Sequence, residues 1–311
     1  MSRIALANRS TDLRHTTDGA FLSLSARAAD MATEPAPGGS VISVVSPKGG
    51  VGKTTVATNL AVGLARTEPH STVLVDLDVQ FGDVASALNL SPEYSLVDAV
   101  RGPAARDSMV LKTFLTLHET GLYVVCGPDS PVAADSVSAD AVSHLLEMLA
   151  SEFRYVVVDT APGLSEHTLA AMDQTSDLVL VTSMDVPGVR GLRKELDTLD
   201  DLGMFRDARF VTLNFADRRG GLSVADVEAT LGAEVDLVLP RSKAALASVN
   251  LGVPLLQSRL RDPLTKQLRA LVGRYAAGQP ARPADKPAKD PEESARDNAH
   301  GRKGRHRGGK R

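Results

Sequence analysis

Mostly apolar runs of strand length recur along this chain, and stretches of helical length separate them. The predicted strands are Val41–Ser46, Thr72–Asp76, Gly121–Cys126, Tyr155–Asp159, Leu178–Thr182, Arg209–Leu213 and Val235–Leu239. The predicted helices are Lys53–Arg66, Ala139–Ser151, Glu166–Gln174, Val189–Leu202, Val224–Leu231 and Pro263–Tyr275. Strands without polar alternation are covered on both faces, as in parallel sheets. We therefore expect an α/β fold with a doubly wound, mostly parallel sheet and helices on both faces.

The predicted folded domain spans residues 40–277, and the segments on either side differ from it in composition. Residues 1–39 lack a sustained apolar period and end in a run rich in proline and glycine, so we expect a flexible segment there. After Val272 the chain contains no further Val, Ile, Leu, Met or Phe. Residues 278–311 therefore cannot bury a core, and we expect a disordered basic tail.

The composition excludes several kinds of site. With one cysteine, Cys126, the chain can form neither an intrachain disulfide nor an all-thiolate metal site. Low cysteine usage favours the cytoplasm. No apolar run approaches the roughly 18 residues that a membrane-spanning helix needs, and the first residues do not resemble a secretory signal. The absence of tryptophan argues against base stacking as the main activity. We expect a cytoplasmic protein.

The first predicted strand is followed by Pro47-Lys-Gly-Gly-Val-Gly-Lys-Thr-Thr55 and then by a helix. In this arrangement backbone N–H groups converge on one point, and the helix dipole adds positive potential there. Glycines let the backbone approach phosphate oxygens closely, Lys53 can reach the β- and γ-phosphates, and Thr54 can hold Mg²⁺. The segment therefore predicts a phosphate-binding loop, although proline occupies position 47, where the ordinary loop has its first glycine.

The stretch KGGVGKTT resembles the deviant Walker A signature of the MinD/ParA (SIMIBI-class) P-loop ATPases. The resemblance implies that ATP and Mg²⁺ are the ligands and that ATP is sandwiched in a homodimer. It also implies that Lys48 crosses the dimer to contact the phosphates of the partner. The loop residues that the resemblance assigns to nucleotide binding are Lys48, Gly49, Gly50, Val51, Gly52, Lys53, Thr54 and Thr55.

Further segments fit the same family. Asp76 and Asp78 end a strand where a switch loop begins, and the resemblance implies that Asp78 orients the attacking water and lies near Mg²⁺. For Asp76, an indirect contact with Mg²⁺ and support of the strand end both remain open. Asp159 ends a Walker B strand, where a metal or its water ligands are held. The resemblance also implies that Asn214 contacts the adenine and that Pro240 closes over it.

At branch level the chain resembles the CpaE/TadZ ATPases, which are associated with Tad/Flp pilus assembly. The stretches DLDVQFGDVASALNL, VVVDTAPGLSEHTLAAMDQTSDLVLVTSMDVPGVRG and LPRSKAALASVNLGVPL carry this resemblance. Three functions remain open: a dimerising, slowly hydrolysing switch that positions a pilus or another envelope machine; a ParA-like partition ATPase that binds DNA nonspecifically; and a scaffold with negligible turnover. The first implies protein partners in that machine.

The end of the chain is strongly basic. Residues 281–311 contain ten Lys or Arg against five Asp or Glu, and the last ten residues contain no acid. Such a segment is attracted to anionic lipid headgroups and to DNA phosphates. We expect a peripheral contact with an anionic membrane, at the inner face or a cell pole, or with DNA. A solvated tail that only aids solubility is the alternative.

Overall fold

Eight strands form one sheet in the part of the chain that the computed structural model describes, which is residues 38–277 without 129, 218 and 259. The strands are β1 (Ser40–Val45), β2 (Thr72–Leu77), β3 (Thr116–Leu117), β4 (Tyr123–Val125), β5 (Tyr155–Thr160), β6 (Asp177–Ser183), β7 (Arg209–Ala216) and β8 (Leu237–Pro240). Their order in the sheet is β3-β4-β2-β5-β1-β6-β7-β8. All pairs are parallel except β3 with β4. The predicted fold class is confirmed.

Eleven helices connect the strands within these described residues. They are α1 (Lys53–Thr67), α2 (Val84–Ala87), α3 (Leu96–Ala99), α4 (Ser108–Thr113), α5 (Pro131–Ala134), α6 (Ala139–Glu152), α7 (Glu166–Asp173), α8 (Val186–Asp201), α9 (Val224–Leu231), α10 (Lys243–Leu251) and α11 (Pro263–Ala276). The helices α1 and α11 share an apolar core on one face of the sheet. The helices α6 to α9 form two cores on the other face. No described helix is both long and apolar enough to cross a membrane.

The central strand β1 shows how the apolar runs build this arrangement. Ile42 and Val44 pack with α1 on one face, whereas Val41 and Val45 point into the cores on the other face. Successive strand residues face opposite ways, so a strand that lies between two helical layers needs apolar side chains on both faces. The buried polar residue of this strand, Ser43, shares a hydrogen bond with the Thr175 hydroxyl at 2.6 Å. The same reason explains the apolar run Tyr155–Val158 of β5.

The strand order brings the carboxyl ends of the central strands together at one edge of the sheet. Residues Asp76 of β2 and Asp159 of β5 are register partners, and Val44 of β1 is also paired with Asp159. The loop after β1 and the carboxyl ends of β6 and β7 lie at this same edge because the strands are parallel. Open α/β sheets bind ligands outside the carboxyl ends of their strands, where the chain reverses its direction of winding.

Differences between the predicted and observed elements are confined to short or capped segments. The predictions missed β3 and the short helices α2 to α5, which are too short for a clear period. They also missed α10, which buries none of its residues and so lacks an apolar stripe. Helix α8 begins at Val186 rather than Val189, because the Asp185 carboxylate accepts a hydrogen bond from the Gly188 amide at 2.8 Å and caps the first turn. The predictions for residues 1–37 and 278–311 lie outside the described residues.

Helices α1 and α11 pack closely at Gly63, and this contact generates a stability prediction. A methyl group at Gly63 would overlap with Val272 Cγ2 and lie 3.0 Å from Leu256 Cδ1, whereas one at Gly273 on α11 would meet no atom within 4 Å. Alanine gains about 1 kcal/mol of helix propensity at either position. We therefore expect Gly63→Ala to be less stable than the control Gly273→Ala by about 1–3 kcal/mol, the cost of overpacking a core. Urea unfolding of both variants measures the difference, and equal midpoints would contradict this packing.

Candidate functional site

The loop between β1 and α1 has a backbone that only glycine adopts without strain at two positions. Gly50 and Gly52 have φ angles of 75° and 94°, in the left-handed region. A side chain at Gly52 would also overlap with the Asn214 amide group. The loop is fixed to β1 by Ser46, whose hydroxyl donates to the Lys48 carbonyl at 2.7 Å. The fold therefore supplies a rigid and tightly curved loop at the centre of the sheet edge.

Helix α1 begins at this loop without any group that neutralises its positive end. Its N-cap is Gly52, no side chain caps the first turn, and the first turn contains no acidic residue. The amide groups there are consequently available to an external anion, and the helix dipole favours negative charge. The Lys53 side chain is only 7% exposed. A buried cation beside free amide groups is a strong attractor for phosphate.

Two buried carboxylates lie beside the loop, at the ends of β2 and β5. Burial raises the pKa of Asp159 to about 6, while a hydrogen bond from the Thr54 side chain and the charge of Lys53 oppose this increase. Burial and the nearby Asp159 raise the pKa of Asp76 well above its ordinary value. One Asp159 oxygen is buried without a hydrogen-bond partner among the described residues. Such a group, next to the Thr54 hydroxyl, suits a divalent cation or its water ligands.

The loop after β2 is organised by the first of its two aspartates. The Asp76 carboxylate accepts hydrogen bonds from the backbone amides of Asp78, at 3.2 Å, and Val84, at 3.1 Å. These contacts favour support of the strand end as the role of Asp76. Asp78 is half-buried, and its carboxylate accepts a hydrogen bond from the Phe81 amide at 3.3 Å. Because Asp78 is only half-buried and a carboxylate has more acceptor sites than this one contact uses, it can also accept a hydrogen bond from a water molecule.

Strands β7 and β8 complete the site on the other side of the loop. The Asn214 side chain is buried, donates to the Val51 carbonyl at 2.8 Å and accepts from the Phe215 amide at 2.8 Å. Pro240 is the register partner of Ala216, two residues beyond Asn214. The structure thus brings Asn214 and Pro240 to the same edge as the loop. Their predicted contacts with adenine stay predictions.

The predicted site residues therefore gather at one edge of the sheet, and they differ in exposure. Lys53 is buried under the loop, whereas Lys48 is exposed. The described residues contain no group of three or more His, Cys, Asp or Glu that could hold a metal by itself. This agrees with the usual binding of Mg²⁺, which takes one or two protein ligands together with water and substrate phosphates.

Sequence reasoning missed one buried acid near the loop, Glu195 of α8. The side chain is 5% exposed, and neither of its oxygens has a hydrogen-bond partner in the described part of the chain. Burial raises its pKa to about 7, although the charge of Lys53 lowers it. The signal was available, since Glu195 lies three residues after Leu192 and four before Leu199 and thus falls on the apolar stripe of the helix.

Comparisons with known proteins agree with this geometry. The family model AAA_31, described as an AAA domain, matches residues 39–204. The septum site-determining protein MinD of Thermotoga maritima is 25% identical over 70% of this chain and 80% of its own length. The chromosome partitioning protein ParA of Myxococcus xanthus is 27% identical over 70% and 81%. The structure of MinD complexed with Mg-ADP from Pyrococcus horikoshii OT3 is 20% identical, with a TM-score of 0.67 over 77% of this chain and 97% of that one.

Proposed function

The chain belongs to the AAA_31 family of AAA domains, within the MinD/ParA superfamily of ATPases, and from that premise we propose that it is an ATP-binding, slowly hydrolysing dimeric switch. The observation that carries the proposal is the uncapped start of α1, where Lys53 is buried beside free backbone amides. We propose further that the switch acts in the cytoplasm, at the membrane surface or a cell pole. There it positions or assembles an envelope machine such as a Tad/Flp pilus, as the resemblance to the CpaE/TadZ branch implies.

Nucleotide binding is proposed at the loop Lys48–Thr55. The backbone amides at the start of α1 and the Lys53 ammonium group bind the phosphates, and Asn214 and Pro240 border the base. Thr54 and Asp159 would hold Mg²⁺, with Asp78 nearby. The unpartnered Asp159 oxygen and the Mg-ADP complex of the Pyrococcus MinD protein support this assignment.

Hydrolysis is proposed to proceed by in-line attack of water on the γ-phosphate, which releases ADP and phosphate. Mg²⁺, when bound, supplies charge neutralisation on the phosphate oxygens. The Lys53 ammonium group stabilises the negative charge that develops on the phosphates, because it is held in a water-poor position. The Asp78 carboxylate accepts a hydrogen bond from the attacking water and orients it. Turnover is expected to be slow, since the lifetime of the ATP-bound dimer is the output of such a switch.

Dimerisation is proposed to depend on Lys48. This side chain is exposed at the surface of the loop, with its Cε beside Gly191 of α8. An exposed ammonium group next to the phosphate site can contact the nucleotide of a second copy, whereas the buried Lys53 cannot. The two loop lysines therefore have separable roles.

We expect Lys53→Ala to lose ATP binding and Lys48→Ala to bind ATP but remain monomeric. The first change removes the buried cation, and the second removes only the contact with the partner. Calorimetry measures binding, and light scattering with and without ATP measures dimerisation. Lys112→Ala, on α4, serves as a control with the same loss of charge. ATP-dependent dimers of Lys48→Ala would contradict the role of this lysine, and unchanged affinity in Lys53→Ala would contradict the site.

We expect Asp78→Ala to bind ATP and dimerise but to release phosphate at least about a hundredfold more slowly, which is the usual loss for one general-base or positioning group. Asp83→Ala, in the same loop, is the matched control. Single-turnover phosphate release measures the effect. A rate equal to that of the wild type would remove Asp78 from the mechanism.

Two other functions are tested against the switch. A ParA-like partition ATPase that binds DNA nonspecifically is favoured by the similarity to the ParA protein of Myxococcus xanthus. A nucleotide-binding scaffold with negligible turnover would bind ATP at the same site but would not hydrolyse it. Multiple-turnover phosphate release by the wild type decides the scaffold function, because a scaffold would release no phosphate over many turnovers.

The basic tail distinguishes the envelope role from the partition role. We expect weak, salt-sensitive binding to anionic vesicles that strengthens with ATP, because a dimer presents two tails. The binding should disappear when residues 281–311 are removed or when their ten Lys and Arg residues are changed to Gln. Co-sedimentation with vesicles and retention on DNA are measured in parallel. Equal binding with and without the tail would contradict the role of the tail, and a preference for DNA would favour partition.

A further inference from the structure

Glu195 is an acid at a buried helix position that apolar side chains usually occupy. It lies on the buried stripe of α8 with Leu192, Leu196 and Leu199, which pack against β6. Both carboxylate oxygens are buried and lack a hydrogen-bond partner among the described residues. Buried polar groups are nearly always paired, so each exception calls for an explanation. An unpaired acid at a core position lowers the stability of the fold relative to an apolar residue there. The presence of Glu195 therefore indicates a role beyond packing.

The position of Glu195 connects it to the phosphate loop. Gly191 lies one helical turn earlier, and its Cβ position is 3.2 Å from the Pro47 side chain and 3.7 Å from Lys48 Cε. Residues four apart lie on the same face of a helix. The face of α8 that contains Glu195 is therefore the one on which the loop rests, and the charge of Lys53 acts on the Glu195 carboxyl group.

Apart from Glu195, the charged residues of α8 itself are exposed. Strand β6 has no charged side chain between Leu178 and Ser183. The charged residues on the remaining elements that share this core or contact this helix are Lys48, Lys53, Glu166, Asp173, Arg209, Asp226 and Glu228, and Arg209 is paired with Asp200 of α8 at 2.7 Å. The two α9 acids are engaged locally, Asp226 with Ser223 and Glu228 with the Val235 amide. Lys53 is the group from another element whose charge shifts the protonation of Glu195.

We propose that nucleotide binding at the loop is coupled to proton uptake from solvent by the buried carboxylate of Glu195. The proton binds to a carboxylate oxygen and no other bond changes. The inference rests on the proposed function, because the phosphates of the nucleotide are the charges that drive the uptake.

The direction of the coupling follows from the charges. In the free protein the Lys53 ammonium group stabilises the ionised form of Glu195, and burial holds the pKa of this acid at about 7. Phosphates bound to Lys53 cancel its field and add negative charge, so the pKa of Glu195 rises when the nucleotide binds. The protein with bound nucleotide then carries more protons at neutral pH. By linkage the affinity must fall as the pH rises through 7.

Calorimetric titration of the full chain with Mg-ADP tests this coupling. Titrations at pH 7 in two buffers with different ionisation enthalpies give the number of protons taken up for each nucleotide bound. We expect the wild type to take up a substantial fraction of a proton more than Glu195→Gln or Glu195→Met. We also expect the dissociation constant of the wild type to rise by about threefold to tenfold between pH 6 and 8, relative to that of the variants.

The variants control for folding and for other acids. Glu195→Met places an apolar side chain of similar length in the core stripe, so it should fold even if the buried amide of Glu195→Gln is not tolerated. Asp177→Asn removes another carboxyl group whose pKa burial raises. Asp177 begins β6, at the opposite end of the strand from the loop. This control should keep the full proton uptake of the wild type.

The outcomes separate this inference from the proposed function. Loss of the extra uptake in both Glu195 variants and its retention in Asp177→Asn would support the coupling. Equal uptake in all chains that bind Mg-ADP would overturn it and leave the proposed function intact. Folded Glu195 variants that cannot bind Mg-ADP would also overturn it, since the carboxylate would then be needed for binding itself. A wild type that binds no nucleotide would overturn both.

Discussion

The parallel pairing of β1 with β5 and β6 is the interaction on which the rest of this structure depends. It holds the phosphate loop between two strands whose ends carry the carboxylate Asp159 and the hydroxyl Ser183. Because parallel strands end at the same edge, pairing alone brings together residues more than a hundred positions apart in the chain. The same pairing buries β1 on both faces, which explains why the strand before the loop is so apolar.

This arrangement concentrates negative charge in the protein around a site that also binds an anion. Asp76, Asp159 and Glu195 are each buried within reach of the charge on Lys53 or of one another. Burial of an ionised acid without a partner is costly. The free site therefore has an unfavourable electrostatic energy. Two events lower this energy: binding of a cation beside Asp159, and protonation of the acids that have no partner. A nucleotide with Mg²⁺ brings the cation and, through its phosphates, favours the protons.

The sequence alone predicts the parts of this fold whose pattern is long and unambiguous. The strand Tyr155–Thr160 and the helix Lys53–Thr67 match their predicted bounds to within one residue, because their apolar content spans several turns of the helix or both faces of the sheet. The loop was recognisable from its glycines, since a positive φ at Gly50 and Gly52 requires that residue type. By contrast, β3 contains two residues at the sheet edge and depends on pairing with β4, which no local pattern encodes.

Side-chain partners were harder to predict than elements. That Asn214 lies near the loop follows from its place at a strand end, but its hydrogen bond to the Val51 carbonyl depends on the approach of β7 to Gly52. Glu195 deviates visibly from the apolar stripe of α8, yet only the packed structure shows that both oxygens lack partners. A sequence can reveal that an acid lies within an apolar stripe. The role of that acid depends on which charges the fold places near it.

Helix α8 connects the two properties proposed for the loop. At Gly191 it supports Pro47 and the exposed Lys48, and one turn later it buries Glu195 in the field of Lys53. Glycine at position 191 permits this close approach, because a methyl group there would lie 3.2 Å from the Pro47 side chain, which is a tight contact. The same helix therefore contacts the lysine that we propose to face a second copy and contains the acid that we propose to take up a proton. If both proposals hold, the two events share one structural element, because Gly191 and Glu195 lie four residues apart on one face of α8.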